Sequence, residues 1–202
     1  MSQFALPLDW PAAERAEDFI VSAATADAVR HLDHLALWPV MATLLTGPRK
    51  SGRSFIGRIF VQQHGGRLID NAERVDEEEI FHAWNRAQAE RAPLLIIADA
   101  PPPTWKVELP DLASRLAATP HVAIGDPDDA LLAALIARQM ALRGLPIGVD
   151  VIDWIVGRIE RSHVAAHRVI DLLDAAAWHR RSRISVALAR DVLSAGGVID
   201  DS

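Results

Sequence analysis

The feature that most constrains this chain is a glycine-flanked turn set between a buried strand and a helix. Residues 36–47, ALWPVMATLLTG, are a short apolar run rich in β-formers that stops at glycine, and they read as a buried strand. After the turn, SFIGRIFVQQHGG carries apolar residues at Phe55, Ile56, Ile59, Phe60 and Val61 and then a Gly-Gly stop, which is helical spacing with a terminator. The turn itself, TGPRKSGRS (46–54), nearly satisfies the phosphate-binding pattern G-x-x-x-x-G-K-[ST]. Gly47, Gly52 and Ser54 are in place, but Arg53 stands where lysine is usual.

The chain then alternates. RLIDNAER (67–74) reads as a very short strand ending in an acid. VDEEEIFHAWNRAQAER reads as a helix capped by Asp76, with Glu77, Glu78 and Glu79 suited to its positive end and a buried stripe of Ile80, Phe81, Trp84 and Ala87. PLLIIADAPPP (93–103) reads as a second buried strand, LPDLASRLAA as a short helix, and HVAIG (121–125) as a last strand. From Asp126 the texture is helical throughout. DPDDALLAALIARQMALRGLP carries an aspartate cap, a proline expected in the first turn and a glycine past the end. Further helices are expected at about 149–160, 163–180 and 185–194. The expected fold is α/β: a parallel sheet of about four to five strands with helices on both faces, up to residue 125, followed by a small all-helical lid over 126–202.

Bulk properties bound the function. With 202 residues, half of them hydrophobic, the chain suits one domain with a core and a small appendage. It has no cysteine, which removes disulfides, thiolate metal sites and cysteine catalysis. No apolar run approaches the roughly 20 residues of a membrane span. The start MSQFALPLDWP lacks a secretion signal, so a cytoplasmic location is expected. A net charge of −6 argues against a DNA-binding surface spread over the whole chain.

A phosphate loop aims backbone N–H groups and a helix N-terminus at phosphate oxygens. Gly47, Lys50, Ser51, Gly52, Arg53 and Ser54 form the candidate cradle. Arg53 carries the charge of lysine on a longer, planar fork. Ser54 is the expected Mg²⁺ ligand and Asp70 the acid that orients the metal's water shell, so these two are the candidate metal residues. Asn71 follows where a second acid is common; an amide cannot take a proton from water, so ADP or ATP with Mg²⁺ is expected to bind and to be hydrolysed slowly.

With these pieces in place, the sequence resembles the DnaA-type AAA+ ATPases, and within them the short Hda-type regulators. LIDNAER resembles their Walker B segment, including the Asp-Asn pair, and FHAWNRAQAERAPLLIIADAPPPTW their sensor 1 region, which puts Asp99 at that position. LPDLASRL (109–116) resembles the segment bearing the arginine finger, and Arg115 falls on that residue. Arginine in the loop, as in SGRS, also occurs in that group. QFALPL, with Gln3, Phe4, Leu6 and Leu8, resembles the motif that docks on the β sliding clamp of DNA polymerase III; physically, an extended segment would fill an apolar groove on a partner. The layout implied is a flexible clamp-binding segment (1–12), an α/β base (13–125) and a helical lid (126–202).

The resemblance implies a negative regulator of replication initiation. Clamp-bound, it inserts Arg115 into the nucleotide site of DnaA and stimulates hydrolysis there. The implied partners are DnaA, the clamp, DNA through the clamp, and a second copy of the chain as an optional homodimer; no membrane is involved. Alternatives from other classes are a self-contained, helicase-loader-like ATPase and a clamp-binding adaptor that needs no nucleotide. Without the resemblance, Arg115 reads as a surface ion pair with Asp111, four residues earlier.

Three departures stand out. Only 15 residues separate Ser54 from Asp70, where a further strand and helix are usual. Val164 falls at the sensor 2 arginine, with His163 and Arg168 nearby, and Ala100 stands where arginine often follows sensor 1. A working pocket and a degenerate one both stay open. His163 and His167 have a spacing that zinc can use, but no Glu-x-x-His motif or third ligand accompanies them. WHRRSR (178–183) is a basic run that reads as a solvated helix end or as a contact with DNA.

Overall fold

The computed structural model describes residues 19–180 and 183–199. The expected clamp-binding residues Gln3, Phe4, Leu6 and Leu8 lie outside them, as do Arg181 and Ser182 of the basic run.

Four parallel strands form one sheet: β1 (Ala42–Thr46), β2 (Arg67–Ile69), β3 (Leu94–Ile97) and β4 (His121–Ala123), in the order β2-β3-β1-β4. The register aligns Leu44 with Ile96 and with His121, and Ile69 with Ile96. Successive strand side chains point to opposite faces, so the two central strands are buried at every position, and the two threonines of β1, Thr43 and Thr46, hydrogen-bond to Pro120 and His121. Ala42 and Leu44 of β1 and Leu94 and Ile96 of β3 face one side. Leu45, Leu95 and Ile97 face the other.

Each face is covered by helices whose apolar residues repeat at helical spacing. α1 (Ala26–Asp33) and α2 (Arg53–His64) cover one, through Ala28, Leu32, Ile56 and Phe60. α3 (Glu77–Glu90) and α4 (Pro110–Ala118) cover the other, through Ile80, Ala83, Ala87, Leu112 and Leu116. Asp76 caps α3 as expected, accepting from the backbone N–H groups of Glu78 at 2.8 Å and Glu79 at 3.3 Å.

The rest is helical: α5 (Asp129–Leu142), α6 (Val149–Val156), α7 (His163–Arg180) and α8 (Val186–Ala195). They share a core of their own, centred on Leu132, Ile136, Met140, Ile155, Ile170 and Leu193.

The structure differs from expectation in four places. The apolar run 36–47 is a strand only from Ala42, because Pro39 interrupts it and Trp38 turns inward to stack on Phe60 at 5.7 Å. Helix α5 starts after Pro127 rather than with it, since the Asp128 carboxylate takes the N–H of Leu131 at 2.7 Å. Helix α6 stops at Val156, before Gly157. Helix α1 has no counterpart in the sequence reading.

Candidate functional site

All four strands run the same way, so the segments leaving them gather at one edge of the sheet. In open parallel sheets ligands bind there, outside the strand C-termini. The loop follows β1, Asp70 follows β2, Asp99 follows β3 and Gly125 follows β4. Gly47 lies so close to the segment after β4 that a Cβ there would sit 2.8 Å from the Ile124 carbonyl oxygen, so only glycine permits the approach. The chain then turns through Lys50, at φ 66°, and Gly52, at φ 89°, before α2 begins at Arg53.

Arg53 does not face outward. It is buried, and its guanidinium donates to the backbone carbonyl of Ala98 and to Oδ1 of Asp99. The hydrogen bond from Arg53 holds the Asp99 carboxyl below the usual carboxylate range; slight burial opposes this, and the charges of Arg53, Arg49 and Arg74 add to it. Arg53, of the expected phosphate loop, and Asp99, at the expected sensor 1 position, thus partner each other. Ser54 is half-buried in the first turn of α2. Asp70 is half-exposed one strand further out, and its Oδ1 accepts the N–H of Asn71 at 2.9 Å. Asn71 is exposed, at φ 53°.

Lys50, Ser51 and Gly52 open onto a cleft of about 380 Å³ between the sheet edge and the helical unit. One wall is the segment from Phe19 to Thr25, one is the loop with Phe55, one is α5 through Leu131, Leu135 and Arg138, and one is α7 through His163 and His167. The Phe19 and Phe55 rings stack at 6.2 Å. Among the described residues lining the cleft there are four basic or imidazole side chains and no carboxylate. The lining combines aromatic and aliphatic side chains with basic ones, a chemistry that suits a base joined to phosphates.

Two residues that line the cleft each carry a buried polar atom without a hydrogen-bond partner: Ser51 Oγ on the loop and His163 Nε2 on α7. His163 is 4% exposed. Burial pushes its imidazole below the ordinary histidine range, and the nearby His167 pushes the same way. His167 is also lowered, by burial first and by Lys50 next. Val164 points to solvent, 52% exposed, so α7 presents His163 and His167 to the cleft instead. Arg168 donates to the carbonyl of Gly196.

Arg115 lies elsewhere. It projects from α4 onto α3, with Nε donating to Asn85 Oδ1 at 2.9 Å and the guanidinium 4.3 Å from the Phe81 ring centre. Its contact with Asp111 is to the backbone carbonyl, at 3.0 Å, rather than to the carboxylate. The side chain is half-buried on the outer surface of the α3–α4 pair.

The sequence reading missed Phe19, Phe55, Arg138 and the α5 leucines as cleft residues. Their only shared property is proximity in the folded chain, which no local pattern carries. His163 and His167 were visible as a pair, but their spacing does not say what they face. Among the described residues, no group of three side chains suited to a metal is present.

No family model matches the sequence. Solved structures do match over most of the chain. Domain III of the replication initiation protein DnaA from Thermotoga maritima superimposes with a TM-score of 0.71 at 13% identity, covering 91% of this chain and 96% of that one. The RuvB Holliday junction branch migration motor of Thermotoga maritima gives 0.68 at 15% identity, covering 90% and 72%. The fold is the AAA+ fold. AMPPCP-bound DnaA from Aquifex aeolicus shares it, with a TM-score of 0.64 at 14% identity over 84% of this chain and 69% of that one. Among the described residues, the four-stranded parallel sheet is followed in the chain by four helices. No helix there is long and apolar enough to cross a membrane.

Proposed function

We propose that this chain is an AAA+ regulator of replication initiation that docks on the β sliding clamp and stimulates hydrolysis of ATP held by DnaA. The observation that carries this reading is the position of Arg115. It belongs to none of the walls of the chain's own cleft, but sits on an outer helical surface where a second ATPase can approach. A guanidinium supplied by a neighbour stabilises charge developing on a transferred phosphoryl group, and such a residue is worth ~10³–10⁵ in rate.

The side chain must first leave its resting place. Lifting it from Phe81 costs about 0.5–2 kcal/mol and breaking the bond to Asn85 about 1.5–3 kcal/mol. A forked, charge-assisted contact with a triphosphate offsets both. Activation of the partner is therefore coupled to a rearrangement at the α3–α4 surface.

On this reading the chain's own cleft holds ADP or ATP with Mg²⁺ in a regulatory role. Lys50, Ser51 and Gly52 bind phosphate, Phe19 and Phe55 flank the base, and Ser54 and Asp70 serve the metal. The pairing of Arg53 with Asp99 supports weak hydrolysis, because each occupies the other's charge. The same pairing favours, as a second reading, an adaptor that uses no nucleotide.

The test is turnover of DnaA-bound ATP in the presence of clamp loaded on DNA. The intact chain is expected to accelerate it. Arg115→Ala and a variant lacking residues 3–8 are each expected to lose the effect, the second with loss of clamp pull-down. Undiminished stimulation by Arg115→Ala would remove that residue from the mechanism.

A further inference from the structure

A hollow of about 260 Å³ lies on the face of the sheet that α1 and α2 cover. It is lined by Val29 and Leu32 of α1, by Ile56 and Ile59 of α2, and by Phe19 and Val21. These six are apolar, and Val21 is left 62% exposed. Asp33 and Gln63, both exposed, line the hollow too and offer oxygen acceptors. Such a space suits a large apolar side chain that carries one N–H donor, which describes tryptophan.

The described residues begin at this hollow. Phe19 is fixed there, its ring stacked on Phe55 at 6.2 Å and so near Gly52 that a Cβ on that glycine would come within 3.0 Å of it. Eighteen residues precede Phe19. The eight next to it, PAAERAED, contain no large apolar side chain. Ahead of them stands Trp10, nine residues from Phe19 and so at most about 30 Å away along an extended chain. A tether of this length holds its end at an effective concentration on the order of millimolar, so a contact too weak to join two separate molecules becomes populated.

We propose that this hollow is the dock for Trp10 of the same chain. The indole lies against Val21, Val29 and Ile59, and its N–H donates to the acceptors at Asp33 and Gln63. The consequence for function rests on the reading of Gln3, Phe4, Leu6 and Leu8 as clamp-binding residues, and goes beyond it by giving their point of departure. They leave from the α1–α2 face. Arg115 belongs to α4, which covers the opposite face of the sheet. A clamp held from the first face leaves the second open to another ATPase, so one chain engages both at once.

The experiment is NMR of the full chain, with isotope labels on the methyl groups of valine, leucine and isoleucine and on the tryptophan rings. Expected are cross-relaxation peaks between the Trp10 ring and the methyls of Val21, Val29 and Ile59. Trp10→Ala is expected to lose the peaks and to shift those methyls, leaving the methyls of Ile155 and Leu173 in the helical core where they are. Val29→Trp fills the hollow from α1 and is expected to release Trp10; retention of its contacts there would overturn the inference. Absence of the Trp10 peaks in wild type would overturn it without recourse to any variant. So would peaks to Leu131 and Leu135 of the cleft in their place. A mixture of differently labelled chains separates contact within a chain from contact between chains. Peaks found only between chains would overturn the inference and make the hollow an interface between two copies. The sample contains no clamp, so these peaks decide the dock, and clamp pull-down decides the clamp reading separately.

Discussion

Arg53 and Asp99, 46 positions apart in the chain, are joined by a charge-assisted hydrogen bond at the mouth of the sheet. Their pairing makes the loop's guanidinium a structural tie between α2 and the end of β3, because the same fork also holds the Ala98 carbonyl. Arg53→Ala leaves both acceptors without a donor and is expected to destabilise the fold by about 2–4 kcal/mol. Arg53→Lys keeps the charge but loses the fork, with an expected loss of about 1–2 kcal/mol. Urea unfolding of the three proteins checks the order. In nucleotide titrations Arg53→Lys is expected to bind more tightly than wild type, since a free ammonium can turn to the loop.

Arg115 makes a second expectation specific. Removing its side chain takes away contacts with Phe81 and Asn85 as well as any role on a partner, so Arg115→Ala is expected to cost about 1–3 kcal/mol in stability. Phe81→Leu keeps the guanidinium and removes the ring beneath it. That variant is expected to stimulate DnaA-bound ATP turnover at least as well as wild type, while Arg115→Ala does not. Turnover and thermal unfolding measured on the same samples separate the two effects.

The histidines set a pH dependence of stability for the ligand-free protein. His31, His121, His163 and His167 are all pushed below the ordinary range, chiefly by burial. The unfolded chain therefore binds protons more readily than the folded one just below about pH 6.5, the unperturbed histidine value. Stability is complete above that value and falls as pH drops from it toward the lowered folded-state values. The midpoint of thermal unfolding is expected to decrease between pH 7 and pH 5.5, and less steeply in His163→Gln.

Glycine 66 gives a contrast that needs no functional assay. Its φ is 87°, and a Cβ there would lie 2.0 Å from the Pro93 carbonyl oxygen, which accepts the N–H of Arg67 at 2.9 Å. Gly66→Ala must displace the contact that starts the β2–β3 pairing, for roughly 3 kcal/mol. Gly144, at φ 72°, has nothing within 4 Å of an added Cβ, so Gly144→Ala is expected to cost only about 1 kcal/mol. Chemical denaturation of both variants tests the difference.

Where apolar period and punctuation agreed, the sequence was legible. The buried runs at 94–97 and 42–46, the Asp76 cap and the 163–180 helix are written in residues that act locally. Helix α1 was not, for a local reason: Thr25 precedes it but turns its hydroxyl back to the Ser22 segment and caps nothing. The site was legible only in part. Gly47, Lys50, Ser51 and Gly52 announce a loop, yet the direction of Arg53 depends on Asp99, and the cleft's other walls depend on where α5 and α7 come to rest. Spacing along a chain does not encode a partner 46 positions away.

Both borders of the sheet are brief. Strand β2 offers three residues, with Arg67 tied to Glu79 at 2.6 Å, and β4 offers three more, begun by His121, whose ring meets Thr46 Oγ1 at 2.7 Å. Such margins give an incoming ribbon too few backbone groups to pair with. Among the described residues, extension of the sheet is therefore a poor route to a larger particle.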